Sequence, residues 1–434
     1  MIIDLSITNF RSIKDEQLFS LYAETPGTYL TNNIAYPSGN KIGVLKCAGF
    51  YGANASGKSN FLKAFAALEY IVLNSGDLKE NESIPVYEPF LLADETKTKP
   101  VQFEVEFVIK AVRYVYTVSF NQREIIEERL VFYPVKQPAV IFDRKKGDSW
   151  KDIKFGSLYK GGTKRISLFP NHAYLSKAGN SAETPAMIRD VYAYFRGNLL
   201  YLGLNDTPLV EYKHSKVEDV LKNKIAPLLS FVDTGIASVE TVEASETEKA
   251  QLYSRLPENI PEPIKQRMCS SMSRKFMFAH QTHSGESLLF DQRQESEGSL
   301  RLFSLAPVLI HIITNGGVLI LDELDHSMHP FIAELIIKLF NDSRVNKNNA
   351  QLIFTTHNIN LMSPDLLRRD QIWFVEKNKG VTRCYSLDNF DKKQVKPTSP
   401  FNQWYAEGRF GAVPSIDYES IAELFLHKEE EKDA

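Results

Sequence analysis

Between residues 52 and 59 the chain reads Gly52-Ala53-Asn54-Ala55-Ser56-Gly57-Lys58-Ser59, and no other stretch limits its folding as sharply. The pattern is G-x-x-x-x-G-K-[ST], a loop that wraps a phosphate chain. An apolar run from Val44 to Tyr51, read as a buried strand, leads into it. Helical spacing follows from Ser59 to Leu73, where Phe61, Leu62, Phe65, Leu68 and Val72 share one stripe. Strand, loop and helix in that order predict an α/β fold with parallel strands. Gly52 and Gly57 let the backbone curl so that successive N–H groups converge on an anion, and the helix start adds its positive end. Lys58 is expected to reach the β- and γ-phosphates of ATP and the Ser59 hydroxyl to hold Mg2+. Asn54, Ala55, Ser56 and Asn60 complete the expected cradle.

With 434 residues, the chain exceeds the ~150 of an average domain several-fold. Its segments divide into an N-terminal lobe (1–150), an inserted, mainly helical subdomain (151–275) and a C-terminal lobe (276–434). The 51 Lys+Arg against 54 Asp+Glu leave a net charge of −3, so any contact with nucleic acid must come from a local patch. Cys47, Cys269 and Cys384 are scattered, which disfavours a disulfide framework or zinc cluster and fits a reducing cytoplasm. The first residues lack the long apolar core of a secretory signal. No segment reads as the ~18 uncharged apolar residues needed to cross a bilayer, so no membrane role is expected.

Ile2 to Ile7 alternates as a strand. The runs VQFEVEFVI, YVYTVSF, RLVFYPV and AVIF between 101 and 143 predict an antiparallel meander. Amphipathic helices are expected over Thr184–Arg196 and Val217–Leu229, and a polar, proline-bearing loop over Glu243–Pro263. FMFAH and SLLFDQ look like a hairpin. Ser299–Ile313 and Pro330–Phe340 read as helices, Gly317–Leu321, Gln351–Thr355, Ile372–Glu376 and Val381–Ser386 as strands. The tail HKEEEKDA reads as a frayed charged end.

Val318-Leu319-Ile320-Leu321-Asp322-Glu323 is a buried strand with two acids at its carboxyl end, where ligands of parallel sheets bind. Asp322 would orient the metal and Glu323 would polarise the attacking water as general base. His357, closing the next strand in Thr355-Thr356-His357, can hydrogen-bond a γ-phosphate. Upstream, Ser296 and Gly298 in Glu295-Ser296-Glu297-Gly298-Ser299 open a helix whose N–H groups can also donate to phosphate. His326 and His329 have no cysteine nearby and His280 and His283 suit solvent or core packing, so neither pair is read as a metal site.

Together these pieces resemble the ATP-binding-cassette class of ATPase head, the group of SMC, RecF and OLD-type proteins. Ser296-Glu297-Gly298-Ser299 is similar to the signature loop LSGGQ, with Glu297 in place of its first glycine and Ser299 in place of its glutamine. Leu324-Asp325-His326-Ser327-Met328-His329-Pro330 resembles the D-loop. The resemblance implies a homodimer or higher oligomer with ATP at the interface, Ser296 and Gly298 facing the other copy's nucleotide. Glu88 is a low-grade candidate for the Q-loop position. More specifically, NFRSI, GANASGKSN, SEGSLRLFSLAP, DELDHSMHP, FTTHN, RRDQIWFVEK and YAEGRFGAVP look like the RloA/AbiL-type ATPases of phage-defence operons, relatives of the PARIS ATPase. That likeness implies an ATPase that senses a phage trigger and acts beside a separately encoded TOPRIM nuclease. Asp388, Asp391 and Asp417 after His357 form no D-x-D, so no nuclease centre is read in this chain. The alternative is a RecF- or SMC-like ATPase that clamps DNA, with Lys145, Lys146, Lys151 and Lys154, or Arg368 and Arg369, as modest basic patches.

Overall fold

The computed structural model describes residues 1–24, 27, 29–37, 42–204, 206, 219–232, 234–257 and 260–426. The charged tail 427–434 and the first two residues of the helix read from Val217 lie outside them.

The chain opens with β1 (Ile2–Thr8) and β2 (Gln17–Ser20), continues through the short β3 (Ile34–Ala35), β4 (Val44–Leu45) and β5 (Cys47–Tyr51), and enters helix α1 (Lys58–Leu73). The run Val44–Tyr51 is therefore two strands: Val44–Leu45 pairs with β3, whereas Cys47–Tyr51 joins the central sheet. The meander follows as β6 (Val101–Ile109), β7 (Val112–Phe120), β8 (Ile125–Tyr133) and β9 (Ala139–Arg144), each antiparallel to the last. In β6, Val101, Phe103, Val105 and Phe107 are buried while Gln102 and Glu104 are exposed, as a strand with one wet face requires. With β10 (Lys154–Phe155), β1 and β2 these strands form one seven-stranded sheet.

The segment from 151 carries strands as well as helices. After α2 (Tyr174–Gly179) and α3 (Ala186–Asn198), β11 (Leu199–Leu202) lies parallel to β15 (Val318–Leu321) at the edge of the central sheet. Helix α4 (Ala226–Phe231) continues a π-turn over Leu221–Ile225. Strand β12 (Ile236–Glu243) pairs with β13 (Arg274–Gln281), which pairs with β14 (Ser287–Asp291). The stretch read as a loop from Glu243 contains α5 (Glu246–Ser254) and the start of α6 (Glu262–Met272). A capping box nucleates α5: the Ser245 hydroxyl accepts from the Glu248 N–H, and the Glu248 carboxylate accepts from that of Ser245.

Helix α7 (Glu297–Asn315), β15, α8 (Pro330–Asn341), β16 (Gln351–Thr355), β17 (Ile372–Asn378), β18 (Val381–Ser386), α9 (Phe401–Ala406) and α10 (Tyr418–Leu426) complete the chain. The central sheet runs β11-β15-β16-β5-β17-β18 and is parallel except for β18. Because helices cover both faces, every residue of β5, β15 and β16 is buried. Helix α7 is long and apolar enough to span a membrane by length and composition, but Leu302, Leu305, Val308, Leu309 and Ile312 pack it into the core.

One side chain clasps the two large sheets. Buried Gln351 accepts from the Ile2 N–H at 2.6 Å and donates to the carbonyls of Ile2 at 2.8 Å and Leu45 at 3.0 Å. Gln351→Leu strips all three bonds and strands buried backbone groups. Urea unfolding should show a loss of about 3 kcal/mol.

Candidate functional site

Strand β5 delivers the chain to the phosphate loop, and the neighbouring strands dictate which residues the loop can contain. A Cβ on Gly52 would meet the Val375 carbonyl oxygen at 2.2 Å, and one on Gly57, where φ is +111°, would meet the Thr382 hydroxyl at 2.3 Å. Thr382 donates to the Ser56 carbonyl at 2.8 Å, so β18 braces the loop from behind. Its entrance is held from the far end of the chain, where the Ala53 N–H donates to the Ala412 carbonyl at 3.0 Å. Tyr405 and Tyr385 fix that distant segment by donating to the Ala412 carbonyl at 2.9 Å and the Phe410 carbonyl at 2.8 Å.

The loop, the acids and the histidine share one open cleft of about 370 Å³, lined by Asn54 to Asn60 together with Asp322, Glu323, Thr355, His357 and Lys377. Asp322 Oδ1 accepts from the Ser59 hydroxyl at 3.1 Å and from the Thr355 hydroxyl at 2.6 Å. Thr355 in turn accepts from the Glu323 N–H at 2.8 Å. That bond holds Glu323 at φ +54°, a left-handed conformation costing a non-glycine residue roughly 1 kcal/mol. His326 Nδ1 lies 3.5 Å from Glu323 Oε2.

Lys58 is buried and donates to the carbonyls of Gly52 at 2.8 Å and Ala53 at 3.0 Å. Desolvation pulls its pKa down to about 8, against the opposing pull of Asp322, Glu323 and Asp325. His357 is held below the usual imidazole range by desolvation and then by Lys58, so it is neutral near pH 7. Desolvation, followed by Asp322 and Asp206, lifts Tyr201 on β11 to about 12.

These features fit a magnesium-bound triphosphate. The buried Ser56 hydroxyl has no hydrogen-bond partner, and Ser59 and Asp322 form a hard oxygen pair. Ser59 and Asp322 would hold the metal, which when bound would neutralise phosphate charge. The loop N–H groups and Lys58 would hold the phosphates.

Ser296 and Gly298 do not enter this cleft. They line a separate groove of about 740 Å³ with Phe231, Ser327, His329 and Phe331. Ser296 caps α7, accepting from the Ser299 N–H at 3.1 Å, and a Cβ on Gly298 would meet the Ser327 carbonyl oxygen at 2.7 Å. Glu88 is also outside the cleft: it pairs with Arg11 at 2.7 Å, and Arg11 reaches Asn60 at 3.1 Å. His329 caps α8, accepting from the Phe331 N–H, and His280 bonds Glu295 at 2.6 Å. Arg368 and Arg369 form no basic patch. Both are buried, Arg368 against Asp370 at 2.8 Å and Arg369 donating to the carbonyls of Val395, Leu387 and Phe390. The sequence reading missed Lys377 and the role of Thr382, which reach the loop through the pairing of β17 with β18; their strand pattern was visible but its register was not.

A phosphate loop between a parallel strand and a helix, with paired acids closing its cleft from the same sheet, defines an α/β P-loop ATPase of the AAA/ABC-like type. The chain belongs to the family described as "AAA domain, putative AbiEii toxin, Type IV TA system", whose match covers residues 47–363. Among solved structures it is similar to the SMC head bound to the C-terminal winged-helix domain of ScpA, at 12% identity over 89% of this chain and 97% of that one, with a TM-score of 0.43. It is also similar to the SMC head domain from Thermotoga maritima, at 13% identity over 89% and 98%, with a TM-score of 0.38. No curated protein sequence matches the chain.

Gly57→Ala should abolish ATP binding in titration calorimetry, because the new methyl group forces the loop off Thr382. The depressed Lys58 pKa gives a second expectation. Between about 8 and the ordinary 10.5 the unfolded chain carries more protons than the folded one, so nucleotide-free stability gains from Lys58 as pH rises across that window. Lys58→Met should flatten that part of the rise in urea unfolding measured from pH 7.5 to 10.5.

Proposed function

We propose that this protein is an ATP-hydrolysing switch whose engaged form is a homodimer or higher oligomer, serving as sensor and regulator of an anti-phage defence system and acting on a separately encoded effector nuclease. The observation that carries the hydrolytic part is the double acceptance at Asp322, which brings the phosphate loop and the acid pair around a single cleft. Glu323 is the general base, placed at the rim of the cleft where a water in line with a γ-phosphate would sit. Neutral His357 accepts or donates a hydrogen bond there without adding charge. Lys58 offsets phosphate charge, and its desolvation-lowered pKa rises when a polyanion arrives.

The dimer part rests on the placement of Ser296 and Gly298. They stand apart from their own chain's phosphate loop, so a phosphate they serve belongs to a facing copy. Phe231 and Phe331, 85% and 73% exposed beside them, supply apolar area for that contact. ATP then stabilises the engaged form and hydrolysis releases it. The defence setting is supported by the resemblance to phage-defence ATPases and by the toxin named in the family's description. The DNA-clamping alternative retains the exposed Lys145, Lys146, Lys151 and Lys154, with Arg368 and Arg369 withdrawn into the interior.

Glu323→Gln should bind ATP, hydrolyse it on the order of 100-fold more slowly, and accumulate as the larger species in light scattering with ATP. Wild-type turnover by that variant would remove Glu323 as base. Adding Phe331→Asp to it should return the scattering mass to that of the ATP-free protein, and an unchanged larger species would remove the groove from the interface.

A further inference from the structure

We infer that Lys377 is a second nucleotide-binding lysine, taking the α-phosphate end of the bound nucleotide while Lys58 takes the β and γ end. The inference rests on the nucleotide reading above and adds a residue to it. In the antiparallel pairing of β17 with β18, Lys377 stands directly opposite Thr382. Directly paired residues of antiparallel strands present their side chains to the same face. The Thr382 hydroxyl on that face donates to the Ser56 carbonyl and abuts Gly57, so Lys377 extends toward the phosphate loop, and it lines the same cleft as Lys58. Trp373 and Val375, four and two residues earlier on that face, are core residues, whereas Lys377 lies beyond the core and is exposed. A cation at that point has the cleft and solvent before it.

Sheet order decides which phosphate it meets. Strands β15 and β16, carrying Asp322, Glu323 and His357 at their ends, lie on one side of β5, and β17 lies on the other. The γ-phosphate must face the acids and the water. The triphosphate therefore crosses the loop from β16 toward β17, and its α end arrives beside Lys377. A lysine there is a mobile point charge suited to one phosphate oxygen.

Titration calorimetry of the full-length protein with ATP and with ADP tests this. Lys377→Ala should weaken ATP and ADP by the same factor, on the order of 10-fold, because both carry the α-phosphate, and Lys377→Arg should restore most of it. Weakening of ATP with ADP spared would overturn the placement by moving Lys377 to the γ end. Unchanged affinity for both nucleotides in Lys377→Ala, with Lys58→Ala no longer binding ATP, would overturn the inference while leaving the phosphate-loop reading intact. ATP binding that survives Lys58→Ala would instead defeat the underlying nucleotide reading. An unchanged thermal melt of the nucleotide-free variant separates lost affinity from lost fold.

Discussion

A single carboxylate oxygen organises the site. Asp322 Oδ1 accepts from Ser59, at the start of the helix after the phosphate loop, and from Thr355, at the end of the strand between the loop and the acids. Three chain segments far apart in sequence thus meet at one atom. The Thr355 hydroxyl also accepts from the Glu323 N–H, so it fixes the backbone of the next acid in an unfavourable left-handed turn. Buried polar networks of this kind are stiff because breaking any member strands the others in low dielectric. The cleft is therefore preorganised before any ligand enters.

The phosphate loop with the helix after it and the acid-tipped strand at 318–323 were legible because local pattern alone specifies them: two glycines at fixed spacing, a 3.6-residue stripe, and a fully apolar run ending in two acids. The meander was equally plain from the alternation in β6. Elements decided by tertiary partners were harder to read. The strand Leu199–Leu202 is only four residues long and is defined by lying beside β15. Helix α5 has a polar sequence and no buried residue, so only its cap could have betrayed it. The arginine pair at 368–369 looked like a surface patch because composition does not show that backbone carbonyls and Asp370 are waiting for it. Register, too, is invisible locally, and so the facing of Lys377 toward the loop emerges only from the pairing of β17 with β18.

Charge is distributed unevenly in the cleft, and the distribution matches what a triphosphate needs. A buried lysine and the loop N–H groups stand at the centre and carboxylates at one flank. Burial penalises the Lys58 charge by desolvation more than the three nearby acids can repay. An arriving polyanion reverses that balance, so occupancy of the cleft and protonation of Lys58 are linked. The groove bearing Ser296 and Gly298 has no such centre of charge and is flanked by the exposed aromatics Phe231 and Phe331.

The hydrogen bond from Ala53 to Ala412 has a consequence for biosynthesis. Translation delivers the phosphate loop well before the Ala412 carbonyl that steadies its entrance. A nascent chain arrested or cleaved before that point carries the complete glycine-lysine motif with its doorway unsecured. The loop therefore gains this brace only once the segment around Ala412 has emerged and docked.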